Sequence, residues 1–235
     1  MSLPDDIPSR LDDIRIRIAQ AAARAGRDAA HVRLVAVSKT FDADSVRAAA
    51  AAGQLDFGEN RVQEALQKKA GLTDFLIKWH LIGPLQSNKA RKAAEAFAWI
   101  HSIESVDLLR RLDRAAMEAA TAPRVLVQVD LAGEATKHGA PPEAVRAILE
   151  AGRDCRTVRV VGLMTLPPWF DDADGARPYF RRLRQLRDRL RDEGTPADML
   201  QELSMGMSHD FETAVEEGAT IVRVGTAIFG QRTPR

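Results

Sequence analysis

Val35-Ala36-Val37-Ser38-Lys39-Thr40 is a short apolar, β-branched run that ends in a lysine flanked by two hydroxyl side chains. Such a run reads as a strand buried on both faces, the signature of a parallel sheet covered by helices. Folds of this kind collect their chemistry at the carboxyl ends of the strands, which makes Lys39 the first candidate for a reactive amine. Taken alone, the run is read more simply as a lysine leaving its strand for solvent. The flanking sequence has to decide.

Working outward, Leu11, Ile14, Ile18 and Ala21 or Ala22 stand at helical spacing in residues 8–25, with Gly26 placed to stop that helix. After the strand at 32–37 come a helix over 44–52 closed by Gly53, a short strand at 54–57, and a Gly58-Glu59-Asn60 turn into a helix over 61–70. The alternation continues with strands at 78–82, 98–102, 124–129, 157–161, 197–203 and 220–224. Helices are expected between them at 87–96, 106–120, 142–152, 173–193 and 208–217. Eight strands separated by helices, without a Pro/Gly/Ser-rich linker, predict an α/β fold of one domain over 1–235: a closed parallel (β/α)8 barrel at about 32–230, with an extra N-terminal helix at about 8–25 and no second domain. An open doubly wound sheet is the alternative.

The chain has 235 residues, 34 Lys plus Arg against 33 Asp plus Glu, and a net charge of +1, so charge gives no pull towards nucleic acid or an anionic membrane. Arg177 to Arg191 is an arginine-rich stretch, but Phe180, Leu183, Leu186 and Leu190 make an inward helical face and Asp188, Asp192 and Glu193 offset the charge. It reads as a solvated helix face. The single cysteine, Cys155, has no disulfide partner within the chain, no Cys/His cluster has metal-ligand spacing, and no window holds the roughly 18 apolar residues of a membrane span. A cytoplasmic protein with no metal is expected.

In a closed barrel the residues that follow each strand meet at one mouth. That brings together Lys39, Asn60, His80 with the Gly83 turn, Met164 and Thr165, the run Ser204-Met205-Gly206-Met207-Ser208, and Gly225-Thr226. The last two stretches supply hydroxyls, a glycine permitting close backbone approach, and Ser208 as the expected cap of the next helix, which together read as a phosphate cup. A lysine beside a phosphate cup narrows the options to amine chemistry on a phosphorylated carbonyl compound: a lysine aldolase acting on a sugar phosphate, or a pyridoxal 5′-phosphate protein. Arg223 favours the second. By period-two alternation it shares the face of Gly225, where it can approach a pyridine nitrogen and keep it unprotonated.

The motifs LVAVSKT (34–40), FGENRVQE (57–64), WHLIGPLQSNK (79–89), HSIESVD (101–107), GLMTL (162–166), LSMGMSHDFETAVEEGAT (203–220) and VRVGTAIFG (222–230) occur in one order along nearly the whole chain. Together they are similar to the pyridoxal phosphate homeostasis (YggS/PROSC) family, which itself resembles the barrel domain of alanine racemase. The resemblance implies that Lys39 carries pyridoxal 5′-phosphate as an internal aldimine. It also implies that Ser204, Gly206, Met207, Ser208, Gly225 and Thr226 hold the phosphate, that Arg223 faces the pyridine nitrogen, that Asn60 lines the ring, and that His80 and Met164 are nearby wall residues. The implied role is binding and supply of the cofactor without established turnover. Arg61 departs from the pattern, which has an aromatic residue there.

Independently of the resemblance, a two-base racemase needs a second acid/base opposite its lysine, a tyrosine in the alanine racemase pattern. Tyr179 is the only tyrosine, and it falls in the helix expected after strand six. A cofactor carrier is therefore expected, monomeric and serving apo-enzymes that use the cofactor, with a weak amino-acid racemase or lyase as the alternative. Lys137 is a candidate for a secondary amine contact, though a solvated loop lysine is the simpler reading.

Overall fold

The computed structural model describes residues 6–133 and 138–231. Its eight strands are β1 (Arg33–Val37), β2 (Asp56–Glu59), β3 (Lys78–Leu81), β4 (Trp99–Ile103), β5 (Arg124–Gln128), β6 (Arg159–Met164), β7 (Glu202–Met207) and β8 (Ile221–Val224). They pair in sequence order, all parallel, and β8 returns to β1 through Arg33↔Ile221 to Ala36↔Val224. The closed barrel is therefore present, and the open sheet is not.

Around it lie α1 (Asp6–Arg24), α2 (Ala43–Ala51), α3 (Val62–Ala70), α4 (Ala90–Ala96), α5 (Val106–Glu118), α6 (Val145–Arg153), α7 (Arg177–Asp192), α8 (Phe211–Glu216) and α9 (Thr226–Phe229). Helix α1 buries Ile7, Leu11, Ile14, Ile18, Ala21 and Ala22 and packs on α2, α8 and α9. Gly26, at φ +64, ends it as its sequence position suggested. The arginines of α7 are tied down: Arg177 reaches Glu216 at 2.8 Å and Asp174 at 2.8 Å, and Arg181 and Arg184 reach the nearly buried Glu217 at 2.8 and 3.2 Å. That face is a bracket onto α8. Among the described residues no helix is long and apolar enough to cross a membrane.

Three strands begin two or more residues later than their sequence suggests, and each of these shifts has a local cause. At β2, Gln54 turns its amide onto the Leu34 and Asp56 carbonyls at 2.8 and 2.7 Å, closing the strand's entrance instead of extending it. Before β6, the Asp113 carboxylate of α5 accepts from the backbone N–H of Arg156, Thr157 and Val158 at 2.9–3.1 Å, which holds those residues in a turn. The largest correction is strand seven. Ala197–Leu200 is a 3-10 turn that buries Met199 and Leu200, and the strand itself is Glu202–Met207. Its pairing with β8 moves from Ser204↔Ile221 to Met207↔Arg223, an irregularity that contains Gly206 at φ +94. The short helix α9 has no counterpart in the sequence reading.

Gly162 shows how closely the wall is built, because a Cβ there would overlap the Glu202 carbonyl of the neighbouring strand. Gly162→Ala is expected to cost about 2 kcal/mol of stability by forcing β6 and β7 apart. Thermal unfolding should show a fall of roughly 4–8 °C for a chain of this size.

Candidate functional site

Period-two alternation organises the barrel interior. Val35, Trp99, Leu126, Met164 and Ile221 form a closed apolar cluster inside the wall. Continuing along the same faces, Val37 and Lys39 follow Val35, His101 follows Trp99, Gln128 follows Leu126, and Arg223 follows Ile221. The interior thus changes from apolar to polar towards the carboxyl ends, where a cavity of about 620 Å³ opens.

Lys39 lines that cavity and is half-buried. The chain then turns sharply: Thr40 has φ +71, a strained conformation for a β-branched residue, and Phe41 packs on Phe229 with ring centroids 5.1 Å apart. Asn60 lines the cavity beside Gly83, whose missing Cβ lets the β3 turn press on the Asn60 backbone. Arg223 forms part of the cavity boundary although it is 3% exposed. Its Nη1 donates to Ser204 Oγ at 2.5 Å and its Nη2 to the Thr165 carbonyl at 3.0 Å. Burial pushes the guanidinium down to about 10, with the Asp210 carboxylate pulling the other way, so Arg223 is a cation at neutral pH.

Ser208, Gly225 and Thr226 complete this side. Ser208 is not the helix cap that its position suggested. Asp210 accepts from the Met207 N–H at 2.6 Å, and the resulting turn delays α8 to Phe211. Ser208 Oγ instead accepts from the backbone N–H groups of Gly225 and Ala227 at 3.0 and 3.4 Å, joining the ends of β7 and β8.

Of the residues expected at the mouth, Lys39, Asn60, Met207, Ser208, Arg223, Gly225 and Thr226 line the cavity, whereas His80, Met164, Ser204 and Gly206 do not. Met164 belongs to the apolar interior, and His80 and Ser204 are buried beneath the cavity floor. Gly206 serves packing: a Cβ there would meet Ala214 Cβ at 2.6 Å and Phe211 Cα at 3.0 Å, so its absence seats α8 against β7. Arg61 is exposed and Tyr179 lies in α7 against Phe170, with ring centroids 5.8 Å apart; neither lines the cavity. Lys137 lies outside the described residues.

Sequence reasoning missed Gln128, Asp130, Trp169 and His209, all of which line the cavity. Trp169 is 71% exposed, and its ring centroid is 4.7 Å from that of His209 across the rim. A tryptophan in the Pro167-Pro168-Trp169-Phe170 loop, outside any expected helix or strand, was the available signal. Gln128 donates to the His138 carbonyl at 2.6 Å; a glutamine on the inward face of an otherwise apolar strand was the cue there.

Fold and site together define a barrel protein whose carboxyl mouth sets an amine, a guanidinium and hydroxyl groups around one cavity. The chain matches the family described as "Alanine racemase, N-terminal domain" over residues 9–233. It is 43% identical over 223 residues to the pyridoxal phosphate homeostasis protein of Aquifex aeolicus, covering 95% of this chain and 97% of the other. Identity to the protein of that name from Pseudomonas aeruginosa is 45% over 226 residues, covering 96% of each. The structure of PipY from Synechococcus elongatus PCC7942 with PLP bound superposes with a TM-score of 0.85 at 44% identity, over 95% of this chain and 100% of that one. The chain belongs to the pyridoxal phosphate homeostasis family.

Proposed function

We propose that this protein binds pyridoxal 5′-phosphate through the Lys39 amine and acts as a carrier and regulator of that cofactor. The observation that carries the reading is the set of groups around one cavity: the Lys39 amine, the Arg223 guanidinium, the hydroxyls of Ser208 and Thr226, and the turn at Gly225. Val37, Ile82, Leu166 and Trp169 add apolar side chains to the same lining. This set fits a flat aromatic aldehyde with one phosphate. When bound, the cofactor supplies an aldehyde that combines reversibly with amines.

In this reading Lys39 holds the aldehyde end, Ser208, Gly225 and Thr226 with the Met207 backbone hold the phosphate, Asn60 borders the ring, and Arg223 meets the ring nitrogen. An arginine at that nitrogen donates without protonating it, so the ring is a weak electron sink and the cavity favours holding over turnover. Tyr179, outside the cavity lining, is not available as the second base of a racemase. The 44% identity to PipY, solved with PLP bound, supports the same ligand. We place the protein in the cytoplasm as a monomer, with apo-enzymes that need the cofactor as its recipients.

Titration of the apo-protein with pyridoxal 5′-phosphate should give one equivalent of uptake with a new visible absorbance band, and mixing with an apo-enzyme should restore that enzyme's activity. L-amino acids should be left unchanged. A protein that stays colourless and takes up no cofactor would sink the proposal.

A further inference from the structure

Beneath the cavity floor, one file of side chains crosses the barrel interior from wall to wall. Asp56 Oδ1, at the start of β2, is 2.9 Å from His80 Nε2; His80 Nδ1 is 3.0 Å from His101 Nε2; and His101 Nδ1 is 2.9 Å from Ser204 Oγ. Ser204 Oγ is the oxygen that accepts from Arg223. His80, His101 and Ser204 are fully or almost fully buried, and Arg33 closes the outer end 3.6 Å from Asp56.

The two ends fix the direction of every bond. A guanidinium only donates and a carboxylate only accepts. Ser204 Oγ therefore receives from Arg223 and sends its own hydrogen to His101 Nδ1. That leaves the His101 hydrogen on Nε2, aimed at His80 Nδ1, and the His80 hydrogen on Nε2, aimed at Asp56. This assignment satisfies every atom of the file with both imidazoles neutral. Burial favours the neutral rings: it lowers the pKa of His80 against the pull of Asp56, and that of His101 further, with His80, Arg223 and Arg33 adding to the effect. Hydrogen bonds on His80 and the charge of Arg33 keep Asp56 ionised in spite of its burial.

A barrel interior has no structural need of such a file, since apolar side chains of similar volume fill it as well or better. Its inner end is Arg223, a cation at the cavity boundary. We propose that Asp56, His80 and His101 are positioning residues, which act through Ser204 to fix the plane and donor direction of Arg223 and so set how tightly the cavity holds its ligand. The inference rests on the proposed function, with pyridoxal 5′-phosphate as that ligand. Two bonds from two different nitrogens, to Ser204 and to Thr165, fix the guanidinium plane. If the anionic end is lost, the direction of the file is no longer forced, and the Ser204 hydrogen can turn towards Arg223 and compete with its donation.

Two measurements test this. In the apo-protein, nitrogen NMR of the buried imidazoles should show both His80 and His101 as neutral rings with the hydrogen on Nε2. An Nδ1–H form of either ring overturns the proposal, whatever the ligand is. In the second, Asp56→Asn keeps the shape and removes the charge. It should weaken pyridoxal 5′-phosphate binding about tenfold, the effect of impairing one charge-assisted hydrogen bond. In an Arg223→Met background the same change should alter affinity by a factor close to one. Equal weakening in both backgrounds would mean that Asp56 acts through packing, and the proposal fails. Should Asp56→Asn not fold, His101→Asn serves in the same cycle, since its amide oxygen can still accept from Ser204 while the bond to His80 is cut. Failure of the wild type to take up the cofactor would instead remove the proposed function and leave the NMR result to judge the file.

Discussion

Lys39→Ala is expected to abolish covalent retention of pyridoxal 5′-phosphate and to weaken its binding by about a hundredfold or more, equivalent to ~2.7 kcal/mol. The substitution removes the one amine among the described cavity-lining residues and leaves the other expected contacts in place: Arg223 keeps its bonds to Ser204 and Thr165, and Ser208 keeps Gly225 and Ala227. Residual binding through phosphate and ring contacts should survive at high cofactor concentration and be lost on dialysis. The fold should be little affected, because Lys39 is half-buried at a cavity rim and such substitutions usually change stability by less than about 1 kcal/mol. Three readings check this together: the visible absorbance band, retention after dialysis, and the mass of peptides after borohydride treatment. The wild type should carry the added mass on the peptide containing residue 39, and the variant should carry none. A variant that keeps the band, with the mass on another lysine, would show that Lys39 is not the attachment point.

Lys39 was legible because it stands two residues past the end of an apolar strand, and strand parity carries it inward with Val35 and Val37. Asn60, Gly225 and Thr226 were legible for the same reason: each stands just past an apolar run at a turn. Alternation with Gly225 put Arg223 on the inward face, and it does form part of the cavity boundary. What the sequence could not supply is depth within the barrel. His80 and Ser204 face inward as expected, but they sit one layer too low to reach the cavity. Ser204 was set at the mouth because Met199, Leu200 and Leu203 look like a strand, whereas the first two fill a 3-10 turn and the strand runs on to Met207. Depth depends on strand stagger and on the Ser204/Met207 irregularity, neither of which has a one-dimensional signature. The same limit hid the file from Asp56 to Arg223, since its members come from five strands and only a closed barrel brings them into line.

Just outside the barrel wall, on the face of β1 opposite to Lys39, stands a buried ion pair whose disruption should have the largest effect on stability. Glu59 is fully buried between β2 and α3; its Oε1 accepts from Lys68 Nζ at 2.6 Å and from Ser38 Oγ at 2.7 Å, while Oε2 has no hydrogen-bond partner among the described residues. Lys68 Nζ also donates to the Ser38 carbonyl at 2.7 Å, which fastens the residue next to Lys39. Lys68→Met should cost about 3–5 kcal/mol at neutral pH, because the carboxylate stays buried with only the serine hydroxyl to balance it. Burial already raises the pKa of Glu59, and Lys68 and Ser38 only partly oppose that. With the folded pKa above the unfolded one, the native state holds more protons between the two values, and this contribution to stability is lost as pH rises through that window. Removing Lys68 raises the folded pKa further. The variant's deficit should therefore be smallest in acid, where Glu59 is protonated in both states, and should grow as the pH rises. Urea unfolding of the wild type and Lys68→Met at acidic and neutral pH measures this directly, and the same deficit at both would refute it. Glu59→Gln combined with Lys68→Met should recover most of the loss, since no buried charge remains. Cofactor affinity should fall modestly in Lys68→Met and stay low in the double variant, because the Ser38 carbonyl has lost its anchor in both.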